Sequence, residues 1–191
     1  ILETIHNSSA DISTDYFLYH FWASRYDSTP LKKLFPKFKK RVTKNLANVY
    51  LDDLVSDSKL YRSILEPSYG WSKNENDVSR SLLMLQIFKL SQATPAVLSL
   101  VRAYKNNNIK YAKFRKGIKA IEKFHFLFTA ITSSRSSGGI SFMYTSFAKK
   151  LFDATTSQQC SEEIDVLVKK LQDRVPSIEE FRVAFKEVVF T

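Results

Sequence analysis

The sequence of 191 residues contains little cysteine, glycine or proline. Cys160 is the single cysteine, which excludes an internal disulfide and leaves too few thiolates for a structural zinc site. Four glycines and five prolines, beside 15 phenylalanines and nine tyrosines, favour helices packed through aromatic side chains over a turn-rich β fold. We therefore expect an all-α protein from a reducing compartment.

Long apolar runs are also missing from the sequence. No run approaches the roughly 20 residues of a membrane span, and the N-terminus lacks the basic and apolar regions of a signal peptide. We therefore expect a cytoplasmic protein with no membrane partner. The first residue is Ile1 rather than methionine, and we expect a fragment of a parent with further domains.

Acidic residues are absent from two long stretches, although the whole chain has a net charge of +10. The first stretch lies between Asp27 and Asp52, and the second lies between Asp77 and Glu122. The candidate nucleic-acid-binding residues are Lys37, Lys39, Lys40 and Arg41 in the first, and Lys113, Arg115 and Lys116 in the second. Two basic blocks on a folded surface predict a phosphate-binding face, and we expect DNA contact through residues 32–44 and 102–119. The same spacing also fits ordinary amphipathic helices whose lysines provide only solubility, and this alternative stays open.

The helical patterning divides the chain into a tail and a domain. Residues 1–12 show little pattern and are interpreted as a tail or a truncated element. Residues 13–191 are predicted to form a single all-α domain of eight or nine helices around a central helix pair at 109–154. In that pair, apolar residues at helical spacing are followed by a break rich in serine and glycine.

Capping residues predict where several helices begin. Ser13 or Thr14 is suited to cap the first aromatic helix, and Ser161 is expected to cap the helix that follows the central pair. Ser177 with Glu180 three residues later is a capping box for the last helix.

Two prolines complicate the first basic block. Pro30 suits the first position of a helix, where its missing N–H costs nothing. Pro36 is expected to divide the segment, with a short helical turn before it and a longer helix after it.

One Glu-x-x-His pair, Glu122 with His125, has the spacing found in carboxylate-bridged di-iron bundles. A single copy does not make such a centre, because His6 and His20 have no glutamate three residues before them. A core histidine hydrogen-bonded to a neighbour is favoured over a metal ligand. We therefore expect no metal and no other cofactor.

The break before the second helix of the central pair contains Arg135 and the Gly138-Gly139 dipeptide. A guanidinium and free backbone N–H groups at a helix start can bind a phosphate, so Arg135 is a further nucleic-acid candidate. A helix C-cap followed by a turn is the favoured alternative, because no Walker-type Lys-Ser/Thr follows the glycines. No catalytic residue is assigned, and Cys160 is expected to be a structural or exposed thiol.

Several segments in order resemble the helical region of the GmrSD-type family, catalogued as domain of unknown function 262. They read DYFLYHFWASRY, LFPKFKK, YRSILEP, TPAVLSLV, IEKFHFLFTAI followed by SSRSSGG, and RVPSIEEFRVAF. The resemblance runs from about Asp15 to Phe185 and rests on the order and spacing of these segments. In that family an N-terminal ParB-like domain carries an Asp-Gly-Gln-Gln-Arg motif, and many members end in an HNH nuclease domain. Neither motif is present in these residues.

The resemblance implies a non-catalytic helical domain of a DNA restriction or phage-defence protein. Such a domain links or regulates nucleotide-hydrolysing and nuclease domains, and the parent is expected to be an NTP-dependent endonuclease. DNA and the flanking domains are the implied partners, and the resemblance carries over a structural or phosphate-facing role for Arg135 and Gly138-Gly139. The alternative is a scaffold or oligomerisation module without nucleic-acid contact. An independent metalloenzyme using Glu122 and His125 is the third and least favoured class.

Overall fold

A computed structural model of the chain describes residues 12–88, 91–131 and 137–187, together with Thr4, Ser8 and Ala10. These residues form nine α-helices and no strand, which confirms the predicted all-α fold. The helices are α1 (Thr14–Ala23), α2 (Leu31–Arg41), α3 (Ala47–Leu65), α4 (Asn76–Ile87), α5 (Thr94–Lys105), α6 (Tyr111–His125), α7 (Ser137–Asp153), α8 (Ser157–Gln172) and α9 (Ile178–Lys186). A π-helical segment, Phe126–Ile131, continues α6. Most of the predicted tail, residues 1–12, lies outside the described residues.

Helix α5 lies at the centre of the domain. Every residue from Thr94 to Ala103 is buried, because other helices surround this helix. It contacts α1, α3, α6 and α7, and α8 packs in turn against α6 and α7. The predicted central pair at 109–154 therefore belongs to the core as α6 and α7, with α5 as a third central helix.

Two of the predicted helix starts are confirmed. Ser13 caps α1, since its hydroxyl oxygen accepts a hydrogen bond from the Tyr16 N–H at 3.4 Å. Ser177 and Glu180 form the predicted capping box of α9, in which each side chain accepts from the other residue's backbone N–H.

The predicted start of α8 at Ser161 is wrong. The helix begins at Ser157, because Thr156 and Gln159 form a capping box one turn earlier. The sequence contains two Ser/Thr signals close together, and the earlier one has the glutamine needed for the reciprocal bond.

The expectation that Pro36 divides the first basic block is also wrong. Helix α2 continues through Pro36 from Leu31 to Arg41, and the chain leaves the helix at Val42. Pro36 is exposed, so the carbonyl that loses its helical N–H partner remains hydrated. The whole block from Leu31 to Arg41 is therefore a single amphipathic helix.

Gly117 permits the close approach of α6 to α5 and α8. A Cβ atom at this position would lie 3.1 Å from Leu100 Cδ2 and 3.5 Å from Ile164 Cγ2, and both neighbours are fully buried. Replacement by leucine, Gly117→Leu, is expected to lower the free energy of unfolding by about 1–3 kcal/mol through overpacking. Urea denaturation measures this change.

Gly139 provides the matched control, because it is also helical and a Cβ there would meet no atom of the described residues within 4 Å. Gly139→Leu is expected to leave the stability unchanged or to raise it by up to about 1 kcal/mol through better helix propensity. Equal losses in the two variants would show that packing at Gly117 is not tight.

Candidate nucleic-acid interface

Helix α2 packs on α1 along one apolar face. Leu34 is buried, and the Phe38 ring lies 6.2 Å from the Phe21 ring and 4.9 Å from the Trp22 ring, measured between centroids. The amphipathic spacing places the cations on the remaining circumference of the helix. Lys32, Lys33, Lys39, Lys40 and Arg41 are all exposed there.

The cations of α2 differ in whether they have a charged partner. Lys37 Nζ lies 2.6 Å from Asp27 Oδ2, and the Arg41 guanidinium lies 3.9 Å from the centroid of the Tyr26 ring. Although burial alone would raise it, hydrogen bonds from Lys37 and neighbouring groups lower the pKa of Asp27 to about 2, so this pair is neutral overall. Within the described part of the chain, no carboxylate forms an ion pair with Lys32, Lys33, Lys39 or Lys40. These four side chains, which we call the α2 lysines, are available to an external anion.

The three candidate cations of α6 are paired within the protein. Lys113 and Lys116 both reach Asp165 of α8, at 2.9 and 2.8 Å, and Arg115 forms an ion pair with Asp77 of α4. Hydrogen bonds from Lys116 and Lys113 lower the pKa of Asp165, which therefore stays ionised. The second predicted block is folded against acids from other helices and presents less free charge than α2.

Arg102, in the second predicted basic stretch, is buried and cannot meet DNA at the surface. It is 7% exposed, and its Nε and Nη2 atoms donate to the two carboxylate oxygens of Asp57 at 3.0 and 2.6 Å. Nη2 also donates to the Ser24 hydroxyl at 2.7 Å. The prediction that residues 102–119 form a DNA-contacting surface is therefore corrected at Arg102.

A second buried arginine shares the same carboxylate. Arg25 Nη2 lies 3.0 Å from Asp57 Oδ2, and Arg25 Nη1 lies 2.7 Å from Asp53 Oδ2. The Phe152 ring lies 4.9 Å from the Arg25 guanidinium and 5.5 Å from that of Arg102. We call Arg25, Asp57 and Arg102 the buried ion network, which joins α3 and α5 to the turn that follows α1.

Sequence reasoning missed this network, although one signal for it exists. Asp57 falls in the apolar stripe of α3, at helical spacing from Tyr50, Leu54, Tyr61 and Ile64. A lone acid in an apolar stripe predicts a buried and paired carboxylate, because an unpaired charge there is costly.

The Glu-x-x-His pair is divided between different partners. His125 Nε2 lies 2.8 Å from the Tyr144 hydroxyl, and burial lowers the pKa of His125 to about 4. Glu122 instead accepts from the Ser81 hydroxyl at 2.8 Å and from Lys119 at 2.9 Å. Among the residues the structure describes, no group of three or more His, Cys, Asp or Glu side chains is placed to hold a metal ion.

The remaining candidates of the sequence lie around the start of α7 and in α8. Arg135 is outside the described residues. Gly138 and Gly139 belong to the first turn of α7, which begins at Ser137. A phosphate-facing role for Arg135 with these glycines stays a prediction. Cys160 is buried in α8, and burial raises the pKa of its thiol.

Fold and surface together define this chain as an all-α domain whose surface helix α2 carries four exposed lysines without a carboxylate partner among the described residues. No family model matches the chain, and no curated protein or solved structure matches it significantly. The resemblance to the GmrSD-type family therefore stays a prediction. In the described ranges, no helix has both the length and the apolarity that crossing a membrane requires.

Proposed function

We propose that this chain is a non-catalytic helical domain of a GmrSD-like DNA restriction or phage-defence protein that contacts DNA through α2. It links or regulates flanking nucleotide-hydrolysing and nuclease domains. The observation that supports DNA contact is the set of α2 lysines, which are exposed and have no carboxylate partner in the described part of the chain. Order and spacing of the sequence segments support the family.

The geometry of α2 suggests a small number of phosphate contacts. Its first turn carries Lys32 and Lys33, and its last turn carries Lys39 and Lys40. These two pairs are about 10 Å apart along the helix axis, at 1.5 Å per residue. Such a helix spans less than one turn of duplex DNA, so we expect it to contact about three to five phosphates. Each contact contributes about −0.9 to the slope of log affinity against log salt concentration.

The double variant Lys39→Glu/Lys40→Glu is expected to weaken binding of a fluorescent duplex of about 20 base pairs by tenfold or more at low salt. The slope of log affinity against log salt is expected to become shallower by about 2, because two phosphate contacts are lost. Fluorescence anisotropy across a salt series measures both quantities.

Lys169→Glu/Lys170→Glu is the matched control, because these lysines are also adjacent, exposed and in the last turn of a helix, α8. The control changes the net charge equally and is expected to retain affinity within about threefold. Equal losses in both variants would assign binding to net charge alone. No binding by the unmodified protein at low salt would overturn the DNA-contacting role.

One observation favours the alternative of a scaffold or oligomerisation module. None of the residues of α9 is buried, and Ile178, Val183 and Phe185 are all more than half exposed. Exposed apolar side chains on one short helix are typical of an association surface. A concentration-dependent dimer in sedimentation, together with no DNA binding, would favour this alternative.

A further inference from the structure

A cavity of about 430 Å³ lies where α1 meets α3, α4 and α5. This volume is within the roughly 300–1,000 Å³ of small-molecule sites. Its apolar walls are formed by Ile64, Leu65, Leu82, Leu85, Ala93 and Val97. Among the described residues, none that lines it carries a formal charge at neutral pH, although the chain as a whole has a net charge of +10.

His20 provides an unsatisfied polar group on the wall of this cavity. Its side chain is 4% exposed, and its Nδ1 lies 2.9 Å from the Tyr61 hydroxyl. Nε2 has no hydrogen-bond partner among the described residues. Within the same residues, Arg102 Nη1 is the only side-chain polar atom that is both without a partner and completely buried, so Nε2 is accessible to solvent. His20 Nε2 is therefore reachable from the cavity.

The state of the imidazole decides what Nε2 offers to a ligand. Burial lowers the pKa of His20 to about 4, so the ring is neutral at physiological pH. A phenol O–H is a stronger hydrogen-bond donor than a neutral imidazole N–H, and an imidazole nitrogen is a stronger acceptor than a phenol oxygen, so the favoured arrangement has Tyr61 donating a hydrogen bond to Nδ1. The ring proton is then on Nε2, which points to a ligand atom that accepts a hydrogen bond.

The rim of the cavity suits a flat ligand. Tyr16 is 57% exposed, and its ring stacks against that of His20 with centroids 6.2 Å apart. Aromatic faces and aliphatic walls favour a ring system, because offset stacking adds to the burial of apolar surface. A charged ligand group would lose its hydration here without meeting a counter-ion.

We propose that this cavity binds an uncharged aromatic small molecule whose carbonyl, or an equivalent acceptor, accepts a hydrogen bond from His20 Nε2. The site is separate from the α2 lysines, because the cavity is lined by α1, α3, α4, α5 and the turn before α5. It does not depend on the proposed DNA contact.

Three probes of matched shape test this proposal by titration into the full chain. 2-Acetylnaphthalene has the ring and the carbonyl, 2-ethylnaphthalene lacks the acceptor, and 2-naphthoate is charged. We expect 2-acetylnaphthalene to bind about five- to tenfold tighter than 2-ethylnaphthalene, which corresponds to one hydrogen bond. We expect a preference of at least about that size over 2-naphthoate, because its carboxylate loses hydration in the cavity. NMR of the ¹⁵N-labelled imidazole of His20 places the ligand, because Nε2 should shift only with the carbonyl probe.

Each other result would overturn the proposal. Equal affinity for 2-ethylnaphthalene would leave an apolar cavity without polar recognition, and equal affinity for 2-naphthoate would exclude the preference for uncharged ligands. Binding that leaves the His20 signals unchanged would place the ligand elsewhere, and no binding of any probe would remove the site. Lys39→Glu/Lys40→Glu is expected to bind 2-acetylnaphthalene as the unmodified protein does, which separates this test from the DNA experiment.

Discussion

Replacement of Asp57 by asparagine is expected to lower the free energy of unfolding by about 3–5 kcal/mol. Asp57 is 1% exposed and accepts hydrogen bonds from both Arg25 and Arg102. Without its charge, two guanidinium groups remain buried with only the partly exposed Asp53 nearby. Urea denaturation of Asp57→Asn near neutral pH measures the loss.

Asp53→Asn is the matched control within the same helix. The Asp53 side chain is 38% exposed and pairs only with Arg25 Nη1 in the described structure. Solvent screens such a pair, so its loss is expected to cost about 1 kcal/mol or less. Equal effects of the two substitutions would show that the burial of Asp57 does not determine the strength of the network.

Burial of this network also explains how the helices are positioned. The hydrogen bonds of Arg102 to Asp57 and Ser24 place α5 relative to α3 and α1. Apolar contacts are non-directional and tolerate small shifts of one helix along another, whereas hydrogen bonds to a guanidinium do not. The network therefore specifies one arrangement of these three helices, at a cost in desolvation.

Acidification from about pH 7 to pH 5 is expected to lower the free energy of unfolding by about 4 kcal/mol. Burial lowers the pKa of both His20 and His125 from 6.5 to about 4 in the folded protein. Below pH 6.5 the unfolded chain binds protons that the folded chain does not, so stability is lost as the pH falls toward 4. Each histidine contributes about 2 kcal/mol over this window, at 1.36 kcal/mol per pH unit.

The histidines and the carboxylates change the free energy of unfolding in different pH ranges. Although burial alone would raise them, hydrogen bonds lower the pKa values of Asp27 and Glu75 to about 2, so their contribution is lost mainly below their unfolded values of 3.8 and 4.5. His20→Gln is expected to halve the change in unfolding free energy between pH 7 and 5, because one of the two titrating groups is removed. A constant stability across this range, measured by urea denaturation at each pH, would show that both histidines are hydrated in the folded state.

Much of the fold could be predicted from local patterns. Apolar spacing, few glycines and the caps at Ser13 and Ser177 are properties of neighbouring residues, and they predicted the helical class and several boundaries. The errors at Pro36 and Ser161 arose where two local signals competed. In the first case the helix tolerated a proline on its exposed face, and in the second an earlier capping box was present.

The candidate interface was predicted less completely than the fold. The cations of α2 are adjacent in sequence, but the sequence did not predict that one helix carries them through Pro36. Lys113 and Lys116 could not be recognised as partners of Asp165, a residue of a different helix. The charge of a stretch of sequence predicts the charge of a surface only when no distant acid folds against it.

The sequence by itself determined the helical class and the caps at Ser13 and Ser177, because these depend on residues within one or two helical turns. Only the tertiary structure decided the central place of α5, the tight contact at Gly117, and the pairing of Arg102 with Asp57, which are 45 residues apart. The hydrophobic effect favours the burial of an apolar side chain but does not specify which residue it contacts. Close packing and the pairing of buried charges specify these contacts, and both depend on how several helices are arranged relative to one another.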